Sequence, residues 1–296
     1  MSGQLKETRE RIASVKSTQQ ITKAMKMVSA AKLRKAQQAI TEMRPYADRL
    51  NKIMVNILSN VEGDASISFA KERPVEKMAI VVNTSNRGLA GAFNANIGKE
   101  TVNLLRRYKE LQDQGKIDII FIGKKGYDFL KSKCKGCNII QDYISLGADL
   151  SFDNMSQMSS KLMTDFVEGN YDKVYVVYSQ FKNAAVQFPK AVQFLPVAKL
   201  VGSKESADQK SDYIFEPSKE VLLEELIPSI LQTSFQKYVL DTSAGEHGAR
   251  MTAMDKATEN ANDLLKDLKI SYNKARQEAI TNEILEIVGG AAALEG

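Results

Sequence analysis

Two apolar repeats, one near each end of a 296-residue chain, narrow the possible folds more than any other feature. Leu33, Ala36, Ile40, Met43, Ala47, Leu50, Met54 and Ile57 follow one another at alternating steps of 3 and 4. Met251, Met254, Thr258, Ala261, Leu265, Leu268, Tyr272, Ala275 and Ala279 do the same. A stripe with a 3.5-residue period stays on one face only if its helix winds around a partner. With a compact domain between them, the two ends are expected to pair as an intramolecular antiparallel coiled coil. Leu33, Ile40, Leu50 and Ile57 then form one side of the seam, and Met254, Leu265, Leu268 and Tyr272 the other. The small residues Ala36, Ala47, Ala261 and Ala275 permit close approach. The alternative, each helix lying alone on the middle domain, fits poorly because helices of that kind average about 11 to 12 residues.

Between the repeats the texture changes. KMAIVVN, IDIIFIG, CNIIQDY and KVYVVYSQF read as strands, separated by helical segments such as GAFNANIGKETVNLLRRYKELQDQG, KKGYDFLKSK and SFDNMSQMSSKLMTDFVEGN. That alternation marks βαβ units on a mostly parallel sheet. AVQFPKAVQFLPV reads as one more strand, broken at Pro189, followed by a polar loop, GSKESADQKSD. The expected organisation is an N-terminal coiled-coil helix over 1–60, a Rossmann-like α/β domain over 74–216 and a C-terminal coiled-coil helix with an apolar tip over 217–296. Pro45 is expected to kink or locally disturb the first helix without ending it.

Residues 11–41 hold seven Lys or Arg and no Asp or Glu. Residues 1–50 carry eleven basic and four acidic side chains, whereas 245–296 carry six and nine. The two ends should therefore attract. Carried back at 100° per residue, the seam passes near Ile12, Val15, Thr22 and Ser29, which leaves Ile21, Met25 and Val28 on a second apolar stripe. That stripe, set among Lys16, Lys23, Lys26, Lys32 and Arg34, calls for a separate partner with acidic groups; a stutter that shifts the seam would also produce it. A basic scaffold for acidic proteins or nucleic acid is one reading of such a helix.

Helix lengths add an overhang. About 58 residues span about 87 Å and about 71 span about 107 Å. The segment TNEILEIVGGAAALEG should thus extend past the start of the first helix, apolar and poor in Lys and Arg, and is expected to sit inside another structure. Composition restricts the setting: 43% hydrophobic and 26% charged residues suit a folded globular chain. No apolar run approaches the roughly eighteen residues of a membrane span. The N-terminus lacks a secretory apolar segment, and two cysteines give no disulfide framework, so a cytoplasmic setting is expected.

Enzyme motifs are incomplete. TSNRGLAGAFN follows a strand and opens a helix, but Gly88 and Gly91 match no phosphate-loop spacing; they are expected to serve the turn, as are Gly123 and Gly126 of FIGKKG. The single His, His247, has no ligand-spaced neighbours. Cys134 and Cys137 form a C-x-x-C without a second pair, which argues against zinc, and the pair is expected not to regulate. No cofactor or metal is expected, and no catalytic residue.

RIASVKSTQQITKAMKMVSAAKLRKAQ and EHGARMTAMDKATENANDLLKDLKISYNKARQEAITNEILEIVGGAAAL strongly resemble the two terminal signatures of the gamma subunit of F-type ATP synthases, and TSNRGLAGAFN resembles that family's central signature. Asn86 and Ala90 stand where many members have Asp and Cys, and Gly245 and Gly248 where Ala is more usual. The resemblance implies a non-catalytic rotor shaft that turns inside a ring of α and β subunits and couples ion flow to ATP synthesis or hydrolysis. Its implied neighbours are the epsilon subunit and the membrane ring of c subunits, on the cytoplasmic face of a bacterial plasma membrane. It also implies that Lys23, Met25, Lys26 and Arg250 face the acidic lever of β, and that Arg276, Gln277, Thr281 and Glu283 face the catch loops.

Overall fold

The computed structural model describes residues 2–59, 68–197 and 219–295. The loop at 202–212 and the side chain of Ile57 lie outside the described residues. The chain divides into two compact units, one of Met1–Ser29 with Arg250–Gly296, the other of Ala30–Ala249.

The elements are α1 (Ser2–Ser59), β1 (Met78–Asn83), α2 (Phe93–Arg107), α3 (Lys109–Asp113), β2 (Ile117–Ile122), α4 (Lys124–Leu130), β3 (Asn138–Ile140), α5 (Phe152–Val167), β4 (Lys173–Phe181), β5 (Gln187–Leu195) and α6 (Lys219–Glu295). α1 runs unbroken through Pro45, which faces solvent. In that exposed position the carbonyl that proline cannot bond is open to solvent rather than buried.

In the unit of Ala30–Ala249 the sheet order is β3-β2-β1-β4-β5. β1, β2, β3 and β4 are parallel, and β5 returns antiparallel to β4. β1 and β2 are buried at every position, as parallel strands covered on both faces must be. One face, with Ala79, Val81, Ile120 and Val176, packs against Met155, Leu162 and Phe166 of α5 and against Ile227, Leu231, Phe235 and Val239 of α6. The other, with Met78, Ile80, Val82, Ile119 and Phe121, packs against Phe93, Ile97 and Leu104 of α2 and Leu130 of α4. Period-two alternation along the strands thus sorts side chains into two cores.

The expected break at Pro189 is corrected: β5 continues through it, paired to Ser179. β5 is an edge strand, and proline's missing N–H is harmless on the unpaired side. On α1 and α6 of this unit, Leu50 is buried together with Ile230, with Leu226 against them.

Candidate functional site

In the unit of Met1–Ser29 with Arg250–Gly296, α1 and α6 run antiparallel, and three polar rungs fix their register. Gln19 Nε2 donates to Asn262 Oδ1, the Thr22 and Thr258 hydroxyls meet at 2.8 Å, and Lys26 Nζ donates to Asp255 Oδ1 at 2.5 Å. A one-residue slip would strand all three. Polar groups at seam positions characteristically select register and orientation at some cost in stability. Of the Thr22 and Thr258 hydroxyls, one donates across the seam while the other donates to a carbonyl of its own preceding turn, and the Ser29 hydroxyl donates to the Met25 carbonyl, so none is left unpaired.

Burial along α1 shows a seam without a stutter. Ile12, Val15, Gln19, Thr22, Ser29 and Leu33 turn inward at continuing heptad spacing. The second stripe is therefore real: Ile21 is 58% exposed and Val28 56%. Met25 is half-buried between the two stripes, and Lys16, Lys23, Lys32 and Arg34 are exposed. One expectation needs correcting. The basic run is not wholly uncompensated, because Lys26 is ion-paired to Asp255, with 40% and 60% of the two side chains exposed. Such a pair contributes at most about 1 kcal/mol, yet it orients Lys26 along the helix pair. Asp255 escaped the sequence reading because finding it required the register.

Arg250 is buried at the start of this part of α6. Arg276, Gln277, Thr281 and Glu283 are exposed near its end, and the Thr281 hydroxyl donates to the Gln277 carbonyl. At about 1.5 Å per residue, the stretch from Asp255 to Arg276 puts about 31 Å between the two groups of candidate contact residues. They form two zones, not one site. The register that sets Lys26 against Asp255 and Thr22 against Thr258 places Ser2 near Ala279, so among the described residues α6 has no α1 residue opposite it beyond that point. There Ile284 and Leu285 are exposed, Ile287 is 71% exposed and Val288 59%.

The α/β domain offers a second candidate, since ligands of open parallel sheets bind at the strands' carboxyl ends where the order reverses. Here that place lies between β1 and β4, and it is filled from within. A Cβ on Gly245 of α6 would stand 3.0 Å from the Phe93 ring, 3.3 Å from Gln187 and 3.5 Å from Ser179, and one on Gly248 would stand 3.0 Å from Ala184 Cα. The two glycines let α6 lie directly in the crevice. The backbone N–H groups at the start of α4, a potential phosphate cradle, are already taken. Lys124 N–H donates to Asn86 Oδ1, Lys125 N–H to the Ser85 carbonyl and Gly126 N–H to Thr84 Oγ1. Gly123, at φ +93, passes so close to the Thr84 carbonyl that a Cβ would come within 2.1 Å of it. In the 84–92 loop Gly91 has positive φ, but Gly88 does not; exposed Leu89 takes the left-handed conformation instead, at φ +62. His247 is half-buried on α6.

A family model described as ATP synthase matches residues 4–294. The chain is 53% identical over 293 residues to the ATP synthase gamma chain of Cytophaga hutchinsonii, covering 98% of each. It is 52% identical over 292 residues to that of Flavobacterium psychrophilum, covering 99% of each. Among solved structures, a chain of the Euglena gracilis mitochondrial ATP synthase aligns with a TM-score of 0.63 at 23% identity, covering 99% of this chain and 95% of that one. A chain from the central stalk and c-ring of the Tetrahymena thermophila enzyme aligns with 0.56 at 24%, covering 80% and 99%. At that identity the two structures speak to the fold.

Proposed function

The chain belongs to the family of ATP synthase gamma chains, and from that premise we propose that it is the central rotor shaft of an F-type ATP synthase, coupling transmembrane ion flow to ATP synthesis or hydrolysis on the β subunits. The observation that carries this reading is the helix pair with two kinds of bare surface: a basic and apolar stripe on α1, and an unpaired apolar tip on α6. A shaft needs both. The stripe, with Lys23, Met25 and Lys26, faces acidic loops of successive β subunits, and Arg250, buried on α6, borders the same zone. Arg276, Gln277, Thr281 and Glu283 face the catch loops higher up. The tip turns in an apolar sleeve, where non-directional contacts offer little angular preference and buried ion pairs would lock rotation. The α/β domain meets the epsilon subunit and the c ring on the cytoplasmic face of the membrane. The chain itself is non-catalytic, a reading supported by the α6 backbone seated at the switch point and the occupied N–H groups of α4.

The test is copurification followed by ATP-driven acidification of inverted vesicles, normalised to ATPase activity. The chain should bring down α, β and epsilon subunits in fixed ratio; nucleic acid in their place, lost steeply with salt, would mark a scaffold. Lys23→Glu together with Lys26→Glu places acid opposite acid, at roughly 1 kcal/mol or more per contact. Hydrolysis should then run out of step with pumping. Because Lys26→Glu also confronts Asp255, an added Asp255→Lys separates the two effects: it restores the rung but should not restore coupling. Normal pumping by the Lys23, Lys26 variant would remove the basic stripe from the torque path.

A further inference from the structure

Cys134 and Cys137 bracket the turn between α4 and β3. Cys137 N–H donates to the Cys134 carbonyl at 3.2 Å, and Gly136, third in the turn, has φ +83. Such a turn holds its first and fourth Cα atoms within about 7 Å, while a disulfide spans about 4.4 to 6.8 Å between Cα atoms. The turn is also anchored. Gln112 Nε2 donates to the Lys135 carbonyl at 2.8 Å, Cys134 N–H donates to the Leu130 carbonyl at 2.9 Å, and a Cβ on Gly136 would come within 2.6 Å of the Gln112 carbonyl oxygen.

The two thiols are unequal. Cys134 is buried in the core with Leu130, and Cys137 is half-exposed. The Cys134 S–H is placed to donate to the Cys137 sulfur. That bond holds the Cys137 thiol below its ordinary range, against its partial burial and the nearby Asp118 carboxylate. The same bond, reinforced by burial, keeps Cys134 protonated. A half-exposed thiol of lowered pKa beside a buried thiol in the same closed turn is a nucleophile with its resolving partner in place.

We propose that Cys134 and Cys137 form a two-electron redox site, in which Cys137 reacts with a small hydroperoxide and Cys134 resolves the product to an intramolecular disulfide. The Cys137 thiolate attacks one peroxide oxygen, the O–O bond breaks, and the departing alkoxide or hydroxide takes up a proton. Cys137 is left as a sulfenic acid. Cys134 then attacks the Cys137 sulfur; the S–S bond forms, the S–O bond breaks, and the oxygen leaves as water with the Cys134 proton. Two thiols and one hydroperoxide give one disulfide, one alcohol (or water) and one water. The site is a property of the chain and does not depend on its place in a synthase.

The full chain has two cysteines only, so its thiol chemistry is unambiguous. The reduced chain is exposed to hydrogen peroxide at neutral pH and sampled over time. Both thiols should disappear together from a monomer, with the intact mass lowered by two hydrogens. Trypsin cleaves after Lys135, between the cysteines, so the two flanking peptides should stay joined until reductant is added. Cys134→Ser should stop at a sulfenic acid captured by a cyclic 1,3-diketone, and Cys137→Ser should react at least about tenfold more slowly than the wild type. Overturning results are oxidation no faster than in the urea-unfolded chain, disulfide-linked dimers as the main product, or undiminished reaction of the Cys137→Ser chain.

Discussion

α6 is apolar along its docked stretch and apolar again at its tip, yet the two stretches live in opposite surroundings. Between Ile227 and Gly248 it lies against the sheet, with Ile227, Phe235, Val239 and Ala244 buried. From Ile284 to Val288 its large side chains stand in water. Hydrophobicity alone does not distinguish a side chain that has found its partner from one that awaits it. What separates the stretches is where the opposing surface ends, and for the tip that is set by the rungs at Thr22–Thr258 and Lys26–Asp255. The docked end is consumed by folding, whereas on the proposed reading the tip is kept for assembly.

Truncating one residue at each end tests the contrast with the largest expected effect. Phe235 is fully buried and meets Phe194 edge-on, ring centroids 5.6 Å apart. Phe235→Ala should cost about 3 to 5 kcal/mol in urea unfolding of the isolated chain. Ile287→Ala should leave that chain within about 0.5 kcal/mol of wild type and instead lower the yield of assembled complex. Removal of residues 289–296 should act likewise, leaving the surviving complexes coupled. A loss of chain stability from Ile287→Ala to match Phe235→Ala would mean the tip is already packed within the chain.

The helix repeats were legible because a 3.5-residue period needs nothing but apolar positions such as Leu33, Ile40, Met254 and Leu265. The polar rungs were not, because Gln19, Asn262 and Asp255 add no hydrophobic signal and acquire meaning only when two helices are set in register. The same holds for the sheet. Strand order along the chain followed from the βα alternation, but the seating of α6 did not, since Gly245 and Gly248 in a helical run read as weak points, not as the clearance for a close approach. Pro189 misled in the other direction: a proline breaks a strand only where its N–H is needed, and the edge position of β5 is a property of the whole sheet. Leu89 shows the limit of reading turns from glycine, because a neighbour with a side chain took the left-handed conformation.

A smaller effect comes from charge at the docked end. Burial raises the Asp241 carboxyl to about 6 from 3.8, against the pull of Lys237 and Arg44. Tyr178 and Tyr238, ring centroids 4.5 Å apart, are held above the usual phenol range, chiefly by burial, with the nearby Asp241 charge adding to it. The folded state therefore binds the proton more tightly than the unfolded chain. Its contribution to stability is full below about 3.8 and is lost as pH rises through about 6. Asp241→Asn should abolish that slope and leave the chain more stable at mildly alkaline pH, by on the order of 2 kcal/mol. Thermal unfolding across this pH range decides the matter, and an unchanged slope in the Asn variant would place the proton elsewhere.

The smallest effect applies one substitution at both ends of the helix. Glycine to alanine raises helix propensity by roughly 1 kcal/mol wherever there is room for a methyl group. At Gly289 and Gly290 nothing lies within 4 Å, so the isolated chain should gain helicity or stay level. At Gly248 the new carbon meets the backbone of Ala184 at 3.0 Å, whereas at Gly245 it meets the edge of the Phe93 ring at the same distance. A ring can rotate by the few tenths of an ångström required, and a backbone atom on the turn into β5 moves only with its strand. Gly245→Ala should therefore come out near neutral, with the propensity gain offsetting the crowding, while Gly248→Ala should be net destabilising by about 1 kcal/mol. Circular dichroism and urea midpoints for the four single variants give the ranking directly. If Gly248→Ala is as benign as Gly290→Ala, the turn at Ala184 yields freely, and the docked end of α6 has the slack that distinguishes the tip.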